Sequence, residues 1–185
     1  ISARIFAAEP FVSVQAKSSR GHNKVVATGD GLAASLATAL FETALPGETE
    51  DLDSAARAAI AGFMARAAAV RTGADPVIQL DVPASDDPAI GRRRMALAII
   101  SDDRPFIVDS VSATITAAGI DIHRLLHPVV DVRRDAGTLA TVLGIATGPA
   151  AADTSRESMI YVELERIGAK ARGELEVERP ASLRL

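Results

Sequence analysis

The chain has 185 residues, a formal net charge of −4, 48% hydrophobic and 24% charged residues, 3% aromatics, no Trp, no Cys and three His. This is a folding composition, and it excludes disulfide frameworks, thiolate zinc centres and cysteine nucleophiles. The aromatic shortage and acidic balance argue against a base-stacking or polyanion-binding surface. Apolar runs fall short of the roughly 18 residues of a membrane span, and no signal-peptide pattern is present. The expectation is a cytoplasmic chain with no nucleic-acid or membrane partner. It begins at Ile1 without Met, as a trimmed chain or fragment would.

Residues 1–30 read as an irregular segment, with a short apolar run at Phe11–Val14 and a polar stretch at Ser18–Lys24. Residues 31–90 read as a helical hairpin, a strand and a linker. Leu32, Leu36, Leu40 and Phe41 form one helical stripe behind Asp30 as N-cap, and Pro46-Gly47 ends that helix. A second helix, from about Asp53 to Arg71, presents Ile60, Phe63, Met64, Ala67 and Val70. Arg71 and Gly73 read as an ordinary C-terminal signal. Residues 77–82 alternate as a strand, and the Pro- and Asp-containing loop 83–91 marks a boundary.

Residues 91–178 read as one α+β unit. Met95–Ile100 is a continuous apolar run, as in a strand buried on both faces. Pro105 opens a helix carrying Ile107, Val111, Ile115 and Ala118, and Gly119-Ile120 closes it. A long strand spans 121–132, with Pro128 marking a bulge or an edge. Arg133–Gly137 turns into a return strand at 139–145. A strand at 159–166 points Ile160, Val162 and Leu164 inward and Glu163 and Glu165 outward. Ala169–Val177 is a candidate second helix, and 179–185 is a tail. The order strand, helix, strand, strand, strand, helix is close to a ferredoxin-like split βαβ plan, with an antiparallel sheet and helices on one face. The edges near 121–132 or 158–166 invite pairing with a neighbour.

Few residues carry chemistry. Gly29-Asp30-Gly31-Leu32-Ala33-Ala34 matches G-x-G-x-x-A, but lacks the strands of a dinucleotide fold and reads as a glycine-rich turn. His123 and His127 lie four strand residues apart, about 13 Å, too far to share a metal. They read as partly buried on one face, where either could bond a ligand or a neighbouring subunit. Asp102 and Asp103 read as capping residues with an ion pair to Arg104. The alternative is an anion or amino-acid site on loop 101–106, at the free N–H groups of a helix start. Arg92-Arg93-Arg94 and Arg133-Arg134 read as solvated or inter-domain surface.

Three segments carry a resemblance: Ile99–Val111 with Asp103-Arg104-Pro105-Phe106-Ile107-Val108-Asp109-Ser110, Ile122–Val130 with His123 and His127-Pro128, and Glu157–Leu164. In this order and spacing the chain resembles the N-terminal, ACT-like region of the large bacterial NAD-dependent glutamate dehydrogenases. The resemblance covers roughly residues 31–167. It implies an ACT-like fold and a parent enzyme that converts L-glutamate to 2-oxoglutarate and ammonia with NAD. The catalytic domain then lies downstream in the same polypeptide, so this chain carries no catalytic, cofactor or metal residue and is inactive alone. It also implies a regulatory and assembly role, a homo-oligomer, and an amino-acid effector near Asp102, Asp103, Arg104, Phe106, Asp109, His123 and His127. ACT loops usually carry Gly after the proline; here Phe106 is expected to occupy or wall off the ligand's space. A stand-alone amino-acid sensor is the alternative function.

Overall fold

The computed structural model describes residues 29–81, 94–135 and 138–165. Residues 1–28 of the expected N-terminal segment, the loop 83–91, the helix expected at 169–177 and the tail lie outside the described residues; residues 29 and 30 belong to the first helix. The element order is α1 (Gly29–Glu42), α2 (Ser54–Ala69), β1 (Val77–Asp81), β2 (Arg94–Asp102), α3 (Ile107–Ala117), β3 (Ile122–Leu126), β4 (Val129–Asp135), β5 (Thr138–Ile145) and β6 (Ser155–Glu165). This is the α+β, ACT-like class expected.

The strands form one antiparallel sheet in the order β1-β2-β6-β4-β5, with β3 also paired to β6. β2 and the β3–β4 line both run antiparallel to β6, which lies between them. β2-α3-β3 is therefore a split βαβ unit. The segment 158–166, expected as a possible edge, is instead mostly the central strand β6. It is buried from Glu157 through Val162 and again at Leu164. Central position, not alternation, sets that pattern: Met159 and Tyr161 are as buried as Ile160 and Val162.

The break at Pro128 inserts no residue. Leu126 faces Tyr161 and Val129 faces Ser158, an equal step along both strands. The Pro128 carbonyl accepts from the Met159 N–H at 3.0 Å; with no N–H, Pro128 cannot return the second bond of that pair, so the ladder to β6 loses one bond there. The register shift lies at His123, between Ile122 and Arg124.

Two apolar clusters sit on opposite faces. α3 covers one with Ile107, Val111 and Ile115 against Leu97, Ile99, Ile160, Val162 and Leu164. The hairpin α1–α2 covers the other, with Leu36, Leu40, Phe63 and Met64 against Ala98, Ile100, Val130, Val132 and Met159. Tyr161 meets Phe63 edge-on at 6.4 Å between ring centres. The sheet's own helix lies on one face, as expected, and the hairpin adds a third layer.

Local signals explain the helix ends. The Asp53 carboxylate accepts from the Ala56 N–H at 2.7 Å and caps α2. Gly119, at φ 71°, closes α3: its N–H reaches Thr116 and that of Ile120 reaches Ile115. This is a Schellman turn, sealed by Ile120 against Ile115. α1 begins at Gly29, so Asp30 lies inside the helix and not at its N-cap. Val70 caps α2 in solvent, off the apolar face assigned to it.

Candidate functional site

The β2–α3 loop stands at the N-terminal end of α3. Its floor is polar and spans three neighbouring strand lines. Ser101 on β2 lies directly opposite Ser158 on β6, and both are buried. The Ser158 hydroxyl bonds His127 Nε2 at the β3–β4 junction. Burial holds the half-buried His127 imidazole below its ordinary pKa, with nearby Asp103 acting in the opposite sense. His127 is therefore neutral at pH 7. Its effect on stability follows from linkage. The unfolded chain takes up the proton more readily, so this contribution is complete above the ordinary value of 6.5 and is lost as pH falls below it towards the depressed folded value. Stability should decline as pH drops below about 6.5, and His127→Gln should flatten that decline. Denaturant midpoints across the range, with an NMR titration of His127, would check it.

The loop residues take different places. Asp103 is exposed, and its N–H bonds the Arg156 carbonyl at 3.2 Å. Arg104 is exposed. Asp109 sits exposed in the first turn of α3, where a carboxylate suits the helix dipole. His123 is exposed at the register shift, not partly buried beside His127. No cluster of three or more metal-ligating side chains occurs among the described residues. Gly29 and Gly31 form the first turn of α1 and not a loop before it.

Phe106 departs from expectation. It is the N-cap of α3, with φ 63°, and supplies no side-chain cap. That left-handed backbone is what glycine would adopt freely and phenylalanine adopts at a cost. The ring does not wall off the loop; it is 77% exposed. Phe106→Gly should raise stability by about 0.5–1 kcal/mol, the strain relieved less the entropy of glycine. Phe106→Ala keeps the strained backbone and should leave the thermal midpoint nearly unchanged.

Asp102 neither caps α3 nor belongs with Asp103. Strand alternation turns it to the hairpin face, where it accepts from Arg71 at 2.6 Å. Arg71, read as an ordinary helix C-terminal signal, is buried just past the end of α2. It also reaches Glu157 at 2.7 Å and the carbonyls of Ala74 and Asp75. Glu157 is fully buried and takes a bidentate pair from Arg134 at 2.6 and 2.7 Å. Arg134, expected on a solvated or inter-domain surface, takes the second of these places and also bonds the carbonyls of Ala68 and Arg71.

A second network lies at the other end of the hairpin. Buried Arg124 on β3 bonds Glu163 at 3.0 Å, both Asp51 oxygens and the Glu48 carbonyl in the α1–α2 connection. Arg94 completes it at 2.9 Å from Glu163. Glu163, expected to face water, is thus a partner of two arginines. No buried side-chain N or O among the described residues lacks a partner. The sequence signal for these residues was slight: Arg71, Arg124 and Arg134 are unremarkable by position, and Glu157 stood out only within the resembling segment.

The domain model described as glutamate dehydrogenase, ACT1 domain, matches residues 36–178. The chain belongs to that family. The match begins inside α1 and covers α2 and the sheet. The NAD-specific glutamate dehydrogenase of Pseudomonas aeruginosa is 39% identical over 72 residues, which is 38% of this chain and 4% of that protein. This ACT1 domain thus aligns with a small part of its curated relative. No solved structure matches the chain. No helix among the described residues is long and apolar enough to cross a membrane.

Proposed function

We propose that this ACT1 domain is an N-terminal regulatory and assembly segment of a large, cytoplasmic, NAD-dependent glutamate dehydrogenase. The parent reaction would be oxidative deamination of L-glutamate to 2-oxoglutarate and ammonia, with NAD bound by a downstream catalytic domain of the same polypeptide. One observation carries the non-catalytic part of this reading: the buried charges, Arg71, Arg124 and Glu157, are spent on joining the hairpin to the sheet. The family match supports the choice of parent. The isolated chain should form no NADH from glutamate and NAD, and glutamate-dependent NADH would overturn the assignment. Self-association is the assembly part of the proposal. A concentration series by light scattering should show a homo-oligomer, and a monomer throughout would remove it.

A second reading, an amino-acid-sensing module, is favoured by the gathering of Ser101, Ser158 and His127 on the sheet beside the β2–α3 loop. Asp103, Asp109 and Arg104 flank it, and His123 lies one strand residue beyond Ile122. Calorimetry against a panel of amino acids separates this reading from pure scaffolding. Binding that is unchanged by Asp103→Ala or Phe106→Ala would reject the loop as its site.

A further inference from the structure

The two arginine networks share a design. Each is built on a β6 carboxylate facing the hairpin: Glu157 at one end of the strand and Glu163 at the other. Each carboxylate is well shielded, with side chains 0% and 13% exposed. Each network also includes an arginine that reaches a second, far more accessible carboxylate. Arg71 reaches Asp102, whose side chain is 42% exposed, and Arg124 reaches Asp51, at 64%.

The consequence is asymmetric. Losing Glu157 would remove the buried carboxylate that Arg71 and Arg134 share. Losing Asp102 leaves Arg71 with Glu157 and the Ala74 and Asp75 carbonyls. Asp102 is therefore the releasable partner at the α2 end, and Asp51 is its counterpart at the α1–α2 connection. Asp102 also ends β2 and begins the loop that leads into α3. Its ion pair ties that loop to the last turn of α2, 31 residues earlier. Arg134 binds the same turn through the carbonyls of Ala68 and Arg71.

We propose that Asp102–Arg71 is a latch coupling the β2–α3 loop to the C-terminal end of the helical hairpin, and that it opens independently of the Asp51–Arg124 latch at the hairpin's other end. Whatever displaces Asp102 loosens the end of α2 while the α1–α2 connection stays held. The coupling is a property of the domain itself and holds whether or not the loop takes a ligand.

Amide hydrogen exchange on the full 185-residue chain, followed by NMR, tests this. In Asp102→Ala, exchange should rise about tenfold both in the first turn of α3, including the Ser110 N–H bonded to the Phe106 carbonyl, and in the last turn of α2, residues 66–70. Residues 48–57 should keep wild-type rates. Asp51→Ala should show the reverse, with faster exchange confined to 48–57. Asp102→Asn, with the side-chain shape retained, supplies the same readout should the alanine variant fold poorly. Exchange that rises only in α3, or equally at both hairpin ends, would overturn the proposal.

Discussion

Glu157→Ala should destabilise the domain by about 3–5 kcal/mol, the cost of breaking a buried ion pair from one side. The reason lies in what remains. Arg71 and Arg134 would keep their positive charges in a site where their side chains are 2% and 11% exposed. Asp102 would be left as the carboxylate for Arg71. The backbone carbonyls of Ala68, Arg71, Ala74 and Asp75 would solvate the guanidinium groups only in part. Urea unfolding should show a lowered midpoint. Glu157→Gln, with the shape kept and the charge lost, should also destabilise. By contrast, Asp102→Ala should cost far less, since its carboxylate already faces water. A Glu157→Ala domain as stable as the wild type would show that the network does not hold the hairpin.

Leu40→Ala should cost about 2–5 kcal/mol, the usual range for a fully buried leucine. Leu40 is 0% exposed beneath α1 and packs in the cluster that includes Phe63, Met64, Val132, Val142 and Tyr161. The removed methyl groups leave a cavity that helix and sheet close only partly. The position is informative because a leucine on a loosely attached appendage would cost little. Unfolding followed by a hairpin probe and a sheet probe should give one shared transition at a lower midpoint. Separate transitions, with the sheet unaffected by Leu40→Ala, would mean the hairpin is energetically independent.

Much of this arrangement was legible locally. A helix start near Asp53, Gly119-Ile120 as a helix stop and Met95–Ile100 as a doubly buried strand each rest on interactions within a few residues or on unbroken apolarity. The split βαβ order follows from the same elements. Three-dimensional neighbours were less legible. Arg71 reads only as an ordinary helix end; its buried ion pairs are with Glu157 and Asp102, far along the chain. Glu163 looks outward by alternation until the hairpin covers that face and Arg124 meets it. At the loop, Pro105 reads as an early helical residue but lies ahead of the N-cap, and the left-handed backbone and exposed ring at Phe106 depend on conformation rather than composition. Asp102 and Asp103 are adjacent in sequence, yet one serves the hairpin and the other faces solvent beside the loop.

In the proposed reading this domain regulates glutamate oxidation without performing it. The most direct test is glutamate-dependent NADH formation in the full-length parent enzyme carrying Asp102→Ala, with the isolated chain measured alongside. The account predicts no NADH from the isolated chain and a shifted glutamate saturation curve in the full-length variant, with the catalytic domain itself unaltered. NADH production by the isolated chain, or a full-length variant whose saturation curve matches the wild type, would contradict it.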